Sequence, residues 1–320
     1  MILLTLIGLL NASAPAAFAS DKAGTSSGEF LKFGADARGM AMGDAMTAVA
    51  DDAAAIHWNP AGLSQLTRRH VAGTGALLYQ DVFLGFIAAA FPVQPVIRHR
   101  RRLLRPSGLG AIAVGALYLN AGEIEEVNNT GAKTGGTFTP TDAAFMVGWG
   151  GTLTEILDLG LTVKYINSTI KASARTGAAD AGLRLRLHVV DRPYVLALSA
   201  HNLGGSLRFH QQSAPLPTTF RIGQSIRAAR PWLVSFDIVV PRDNDPYPAF
   251  GTEATFEIDD GLSTAVRGGW SGRTSSGDLD GMAGITFGAG MQLRDFGADY
   301  AWVPFGVLGH THRVSLSYRF

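Results

Sequence analysis

The sequence predicts an all-β fold: one antiparallel transmembrane β-barrel of about 14 strands, with a short N-terminal helical plug in its lumen. Three observations lead there. Segments of about ten residues alternate between apolar and polar side chains, near the length that a tilted membrane strand requires. The connections between those segments alternate between tight turns and longer polar loops. Ahead of them stands a stretch of different texture, rich in alanine, methionine and glycine, too short to be a domain.

Composition sets the bounds. The chain has 320 residues, 39 glycines, 14 prolines, no cysteine and a formal net charge of +1. Charged residues are 17% of the total, well below the roughly 25% of soluble domains. Mean hydropathy is nevertheless only +0.15, and no apolar run of about twenty residues follows the N-terminus, which argues against a helical membrane protein. Near-zero net charge argues against a nucleic-acid partner. Without cysteine there is neither a disulfide framework nor a thiol nucleophile.

Residues 1–19 read as a signal peptide, with an apolar core over residues 2–10 and Ala17-Phe18-Ala19 as the small-residue cleavage pattern. No Lys or Arg precedes the apolar core. Residues 20–66 form a polar lead followed by the plug, and residues 67–320 form the barrel. Over residues 37–55 there is no proline and alanine and methionine dominate, which favours helix despite Gly39 and Gly43. Asp44 is positioned to cap a helical turn. Asn59-Pro60-Ala61-Gly62 is a turn signal: proline fixes one φ and pushes Asn59 to an extended conformation, and glycine permits positive φ.

Residues 34–63, GADARGMAMGDAMTAVADDAAAIHWNPAGL, resemble the N-terminal signature of the PorV/PorQ family of outer-membrane proteins, and residues 299–320, DYAWVPFGVLGHTHRVSLSYRF, resemble the end of those chains. That family is similar in fold to FadL-type outer-membrane transporters, which also carry an Asn-Pro-Ala turn near the N-terminus. The resemblance implies a plugged barrel in the outer membrane of a Gram-negative bacterium. It makes Asn59, Pro60, Ala61 and Gly62 the candidate gating residues. Two functions follow as expectations: transport of hydrophobic small molecules across the outer membrane, or a non-conducting type IX secretion role that binds secreted cargo proteins at the cell surface. A third reading is a structural outer-membrane protein without transport.

Strands are expected over residues 68–79, 82–93, 108–120, 139–151, 158–170, 178–188, 193–209, 216–228, 231–241, 249–258, 261–272, 282–293, 296–303 and 311–320. The last shows the pattern best. Val314, Leu316, Tyr318 and Phe320 share one face, and Arg313, Ser315, Ser317 and Arg319 share the other. Tight turns fall at Asp191-Arg192, Arg230-Pro231, Asp259-Asp260 and Arg294-Asp295, and longer polar connections near residues 121–140, 211–215, 243–247 and 273–280. In outer-membrane barrels the short turns are periplasmic, and parity then places both chain ends on that side. The run over residues 95–106, with Arg98, Arg100, Arg101, Arg102 and Arg105, breaks this order. It reads as a solvated loop or as a contact for anionic lipid head groups or an acidic partner.

Tyr318 and Phe320 on the last strand resemble the terminal aromatic signal recognised by the barrel-assembly machinery, which makes that machinery, with outer-membrane lipid, an expected partner. Trp270, Tyr300 and Trp302 join them as candidates for interfacial aromatic girdles. For catalysis, Ser199 with His201, and His310 or His312 near Ser315, lack any nucleophile motif. No Asp, Glu or Cys spacing completes a metal site with the histidines, and no cofactor is implied. Glycines are read as punctuating strands and turns. Lys164, Arg221, Arg227, Asp237, Glu253, Glu257, Arg267, Asp299 and Arg319 fall on the polar phase of their strands, which predicts ion pairing within the lumen.

Overall fold

The computed structural model describes residues 24–93, 109–128, 130–209, 212–275, 282–306 and 309–320. The expected signal peptide and the basic run over residues 95–106 lie outside them. The strands are β1 (His70–Leu77), β2 (Phe83–Pro92), β3 (Ala111–Asn120), β4 (Ile124–Val127), β5 (Lys133–Phe138), β6 (Thr141–Thr154), β7 (Leu157–Thr169), β8 (Ser173–Val189) and β9 (Arg192–Leu203). They continue with β10 (Ser206–Phe209), β11 (Gln212–Pro215), β12 (Thr219–Arg227), β13 (Trp232–Pro241), β14 (Tyr247–Asp259), β15 (Leu262–Ser271), β16 (Ile285–Leu293), β17 (Phe296–Pro304) and β18 (His310–Arg319).

Fourteen of these close into one antiparallel barrel in the order β1-β18-β17-β16-β15-β14-β13-β12-β9-β8-β7-β6-β3-β2. Closure runs from His70 opposite Arg319 to Leu77 opposite His312. Every backbone edge is thereby paired, which is what a sheet in an apolar surrounding needs. The remaining four strands form two small hairpins, β4–β5 and β10–β11, inside the longer connections. The strand expected over residues 193–209 is therefore two, divided at Gly204 and Gly205, both with positive φ. The tight turn after β8 is Val190-Asp191, both left-handed at φ 50° and 58°, the conformation of a type I′ hairpin turn. It lies one residue before the expected position.

Period two governs which side each residue faces. On β7, Thr162, Lys164 and Ile166 are buried, whereas Leu161, Val163 and Tyr165 are exposed. On β2, Phe86, Ala88 and Ala90 are buried beside exposed Ile87 and Phe91. The outer surface is thus apolar, the inverse of a soluble barrel, and the polar residues turn inward.

Residues 29–65 are not one helix. Two short helical turns, Ala37–Ala41 and Ala55–Trp58, are joined by bends, with 3-10 turns at Glu29–Lys32 and Pro60–Gln65. The expected helix over residues 37–55 breaks at Gly43 and Asp44, which take φ of 62° and 69°. Asp44 is therefore no cap. Asp36 caps the first turn instead, accepting from the Gly39 amide. Glycine placement explains why good helix propensity loses here: Gly43 has its Cα side packed on the Trp270 and Phe250 backbone, where the lack of a side chain decides the path.

Candidate functional site

The 29–65 segment lies against the inward face of the barrel, and two features of the strands receive it. The first is a set of inward glycines. A Cβ on Gly150 or Gly160 would overlap the Pro60 backbone, one on Gly182 the Asn59 side chain, one on Gly251 Met42, and one on Gly269 Gly43. These glycines lie on β6, β7, β8, β14 and β15, so the segment is seated on several sides of the wall. The reading of glycines as strand and turn punctuation is corrected at these positions. They hold space for backbone.

The second feature is a set of inward polar side chains that satisfy backbone groups the segment's own turns leave unpaired. Arg313 donates to the Gly34 carbonyl (2.7 Å) and Thr286 to that of Ala41 (3.0 Å). Thr162 donates to the Ile56 carbonyl (3.2 Å), and Arg184 to that of Ala48 (3.2 Å). Ser315 accepts from the Ala37 amide (2.8 Å), and Asp237 accepts from both the amide and hydroxyl of Thr47 (3.1 and 2.6 Å). Much of the polar lumen therefore serves the segment rather than pairing with itself.

The Asn59-Pro60-Ala61-Gly62 turn is placed on β7 and β8. Asn59 is extended (φ −164°, ψ 106°), and its Oδ1 accepts from the Ala61 amide (3.1 Å). Its Nδ2 donates to the Thr47 carbonyl (2.8 Å), tying two parts of the segment together. Gly62 does not take a positive φ, contrary to expectation. Its role is steric, since a Cβ there would overlap the Ala50 carbonyl.

Two cavities lie at opposite ends of the segment. At the short-turn end, a cavity of about 210 Å³ is bordered by Arg38, Asp51, His70, Glu253, Arg267 and Asp299. Here the predicted ion pairing occurs. Arg38 donates to both oxygens of Glu253 (2.9 Å each) and to Asp51 (2.7 Å). Arg267 donates to Glu253 (2.7 Å) and Asp299 (2.6 Å). Arg38 belongs to the segment and Glu253 to β14, so this network latches one to the other. Arg227, Glu257 and Arg319 are exposed and take no part in it.

At the end carrying the longer connections, a cavity of about 50 Å³ is bordered by Leu31, His57, Trp58, Lys164, His201, Arg221 and neighbouring residues. A bulge shapes it. Between Ala179 and Ala181 of β8 the register with β9 slips by one residue, and Asn202 takes φ 56°. Both His201 and Asn202 are consequently buried although adjacent in sequence, as a bulge re-aims a side chain. Asp180, opposite the bulge, accepts from Lys164 (2.7 Å), from His201 Nδ1 (3.2 Å) and from the Asn202 amide (2.8 Å). His201 Nε2 is 2.8 Å from Ser199 Oγ. Ser199 and His201 thus meet, with a carboxylate that the sequence reading missed because strict alternation hides a bulge. Ser199 does not border the cavity, and Lys164 neutralises Asp180. The array buttresses His201 and Lys164. His310 and His312 instead pack edge to face at the outer rim, with His312 bonded to Tyr300.

Burial also shifts groups of the segment itself. The Asp36 carboxyl, buried and near Asp52, is pushed up to about 7, although the Trp58 indole donates to it (2.6 Å). Burial holds the His57 imidazole well below its ordinary value, so it is neutral. Among the described residues no cluster of His, Asp and Glu is arranged to hold a metal ion. Tyr318 and Phe320 stack at 5.6 Å on the rim, where Arg69 lies over the Phe320 ring.

No protein-family model matches the sequence. No curated protein matches it by sequence either. Solved structures do match in fold. The Pseudomonas putida toluene transporter TodX is similar over 89% of this chain and 96% of its own, at 11% identity and a TM-score of 0.55. The Ralstonia pickettii toluene transporter TbuX is similar over 90% and 98%, at 13% identity and a TM-score of 0.55. A Pseudomonas aeruginosa FadL homologue covers 89% and 98%, at 10% identity and a TM-score of 0.53. The chain shares its closed 14-strand architecture with these outer-membrane barrels.

Proposed function

We propose that this chain is an outer-membrane transport protein of a Gram-negative bacterium, passing small molecules through a barrel plugged by residues 29–65. The observation that carries the reading is the seated segment. It separates a cavity at the loop end from one at the turn end, and it is held by hydrogen bonds and ion pairs to wall side chains, contacts of a kind that can be exchanged. Fold similarity to hydrocarbon transporters supports a permeation role, while the substrate must be argued from the site. The exposed apolar outer surface supports the membrane location. Asn59 and Pro60 act in this reading as the element whose shift opens the passage.

The test is uptake of a radiolabelled monoaromatic compound into proteoliposomes containing the full chain. Flux above that of protein-free vesicles, raised by Asn59→Ala, is the expected result. Absence of flux in both proteins overturns the reading. The PorV/PorQ resemblance of residues 34–63 favours the second reading, a secretion component that binds cargo at its loops. Co-purification of secreted proteins sharing a common terminal domain, together with no flux, is the outcome that selects it.

A further inference from the structure

We propose that the loop-end cavity is a binding site for a small organic carboxylate, with Arg221 taking the anionic group and Trp58 the apolar part. Arg221 is 7% exposed and borders the cavity. Its guanidinium carbon lies 5.5 Å from the centre of the Trp58 ring. Among the described residues it has no hydrogen bond and no carboxylate within ion-pair distance. A buried guanidinium with five donors and no acceptor is costly to maintain.

The other cations around the cavity have partners. Lys164 is held by Asp180 and by Asn202 (2.8 Å), and Lys32 by Asp243 (2.9 Å). Arg273 donates to the Lys32 carbonyl (2.7 Å) and lies over the Phe33 ring. Asp237, on the strand next to Arg221, directs its Oδ2 to Thr47 and leaves Oδ1 without a hydrogen bond; it attracts Arg221 from beyond ion-pair distance. Arg221 is therefore the cation at this site left for a ligand. Its planar fork matches a carboxylate in two parallel hydrogen bonds.

Size and surroundings narrow the class. About 50 Å³ holds several waters at roughly 10–15 Å³ each, so a carboxylate fits and a long alkyl chain does not. Leu31, Trp58, Val239 and Pro241 form the apolar part of the border, which suits an organic anion over an inorganic one. Asp180 and Asp243 stand behind the neighbouring lysines, and a second negative charge on the ligand would meet them. A neutral hydrocarbon would leave Arg221 unpaired. As the substrate class of the transport proposed above, this inference rests on that reading, but binding is measured without flux.

The test is calorimetric titration of the full chain in detergent with benzoate, and with benzamide as its uncharged isostere. Charge-assisted hydrogen bonds predict that benzoate binds about ten- to a hundredfold more tightly than benzamide. Arg221→Met should lose the same factor while keeping the heat-dependent gel shift of a closed barrel, and Arg221→Lys should recover part of it. Should Arg221→Met fail to fold, the benzoate–benzamide comparison in the wild type decides. Equal affinity for the two, unchanged benzoate binding in folded Arg221→Met, or no saturation in the millimolar range overturns the site. Benzoate binding without uptake keeps the site and removes the transport reading. Uptake without benzoate binding does the reverse.

Discussion

Two adjacent glycines on β15 separate the seating of the N-terminal segment from the stability of the barrel. Gly268 faces outward, and the nearest atom to a Cβ there is 3.9 Å away. Gly269 faces inward, and its Cβ would lie 2.8 Å from Gly43 Cα and closer still to Gly43 N and Met42 C. All three are backbone atoms, well inside the 3.4–4 Å of ordinary contact. Gly268→Ala and Gly269→Ala make the same change in strand propensity on the same strand. Their difference isolates the segment. Overpacking of this kind costs about 1–3 kcal/mol. Because β15 is paired on both sides, the wall resists and the segment shifts. The population of the unseated segment should rise about 5- to 150-fold. Limited proteolysis reads that population when opening is fast relative to cleavage. Cleavage within residues 34–62 should accelerate in Gly269→Ala alone, with barrel melting unchanged in both variants. Equal cleavage in the two variants, or a Gly269→Ala barrel that melts early with its segment still protected, would refute the seating argument.

The same assay checks three further perturbations. Asn59→Ala removes the hydrogen bonds to the Thr47 carbonyl and from the Ala61 amide, and should loosen the segment by about 1–2 kcal/mol. Arg38→Met leaves Asp51 unpaired and Glu253 with Arg267 alone; for this partly buried latch we expect a cost of about 2–3 kcal/mol. Adding Glu253→Gln should then cost less than it does in the wild type, as a double-mutant cycle would measure. The Asp36 carboxyl, pushed up to about 7, favours its protonated form in the folded protein. Its contribution is full below about pH 4 and is lost as pH rises through about 7. Protection of the wild-type segment should therefore fall across that window relative to Asp36→Asn, and parallel pH profiles would contradict the assignment.

The barrel itself was legible because its information is local. Each of the fourteen expected barrel strands overlaps an observed one, since strand period, turn residues and the length set by a membrane are all written in short windows. Local information also misled at three places. Good helix propensity over residues 37–55 lost to wall contacts at Gly43 and Asp44, which are set by residues more than two hundred positions away. Alternation through β9 hid the bulge that turns both His201 and Asn202 inward and brings Asp180 to them. The inward glycines looked like strand breakers, because their purpose shows only once the segment that fills them is in place. Lumen ion pairing was foreseen for Arg267 and Glu253, but Arg313 and Asp237 serve the segment's backbone, a role with no signature in sequence.

The proposal that the seated segment plugs the barrel is tested most directly by single-channel conductance of the purified full chain in a planar bilayer, comparing the wild type with Gly160→Ala. A Cβ at Gly160 would lie 2.5 Å from the Pro60 carbonyl oxygen and overlap further backbone of that turn. The wild type should be mostly closed and the variant should show frequent, resolved openings. A freely conducting wild type, or a variant that stays closed while its segment becomes protease-sensitive, would contradict it.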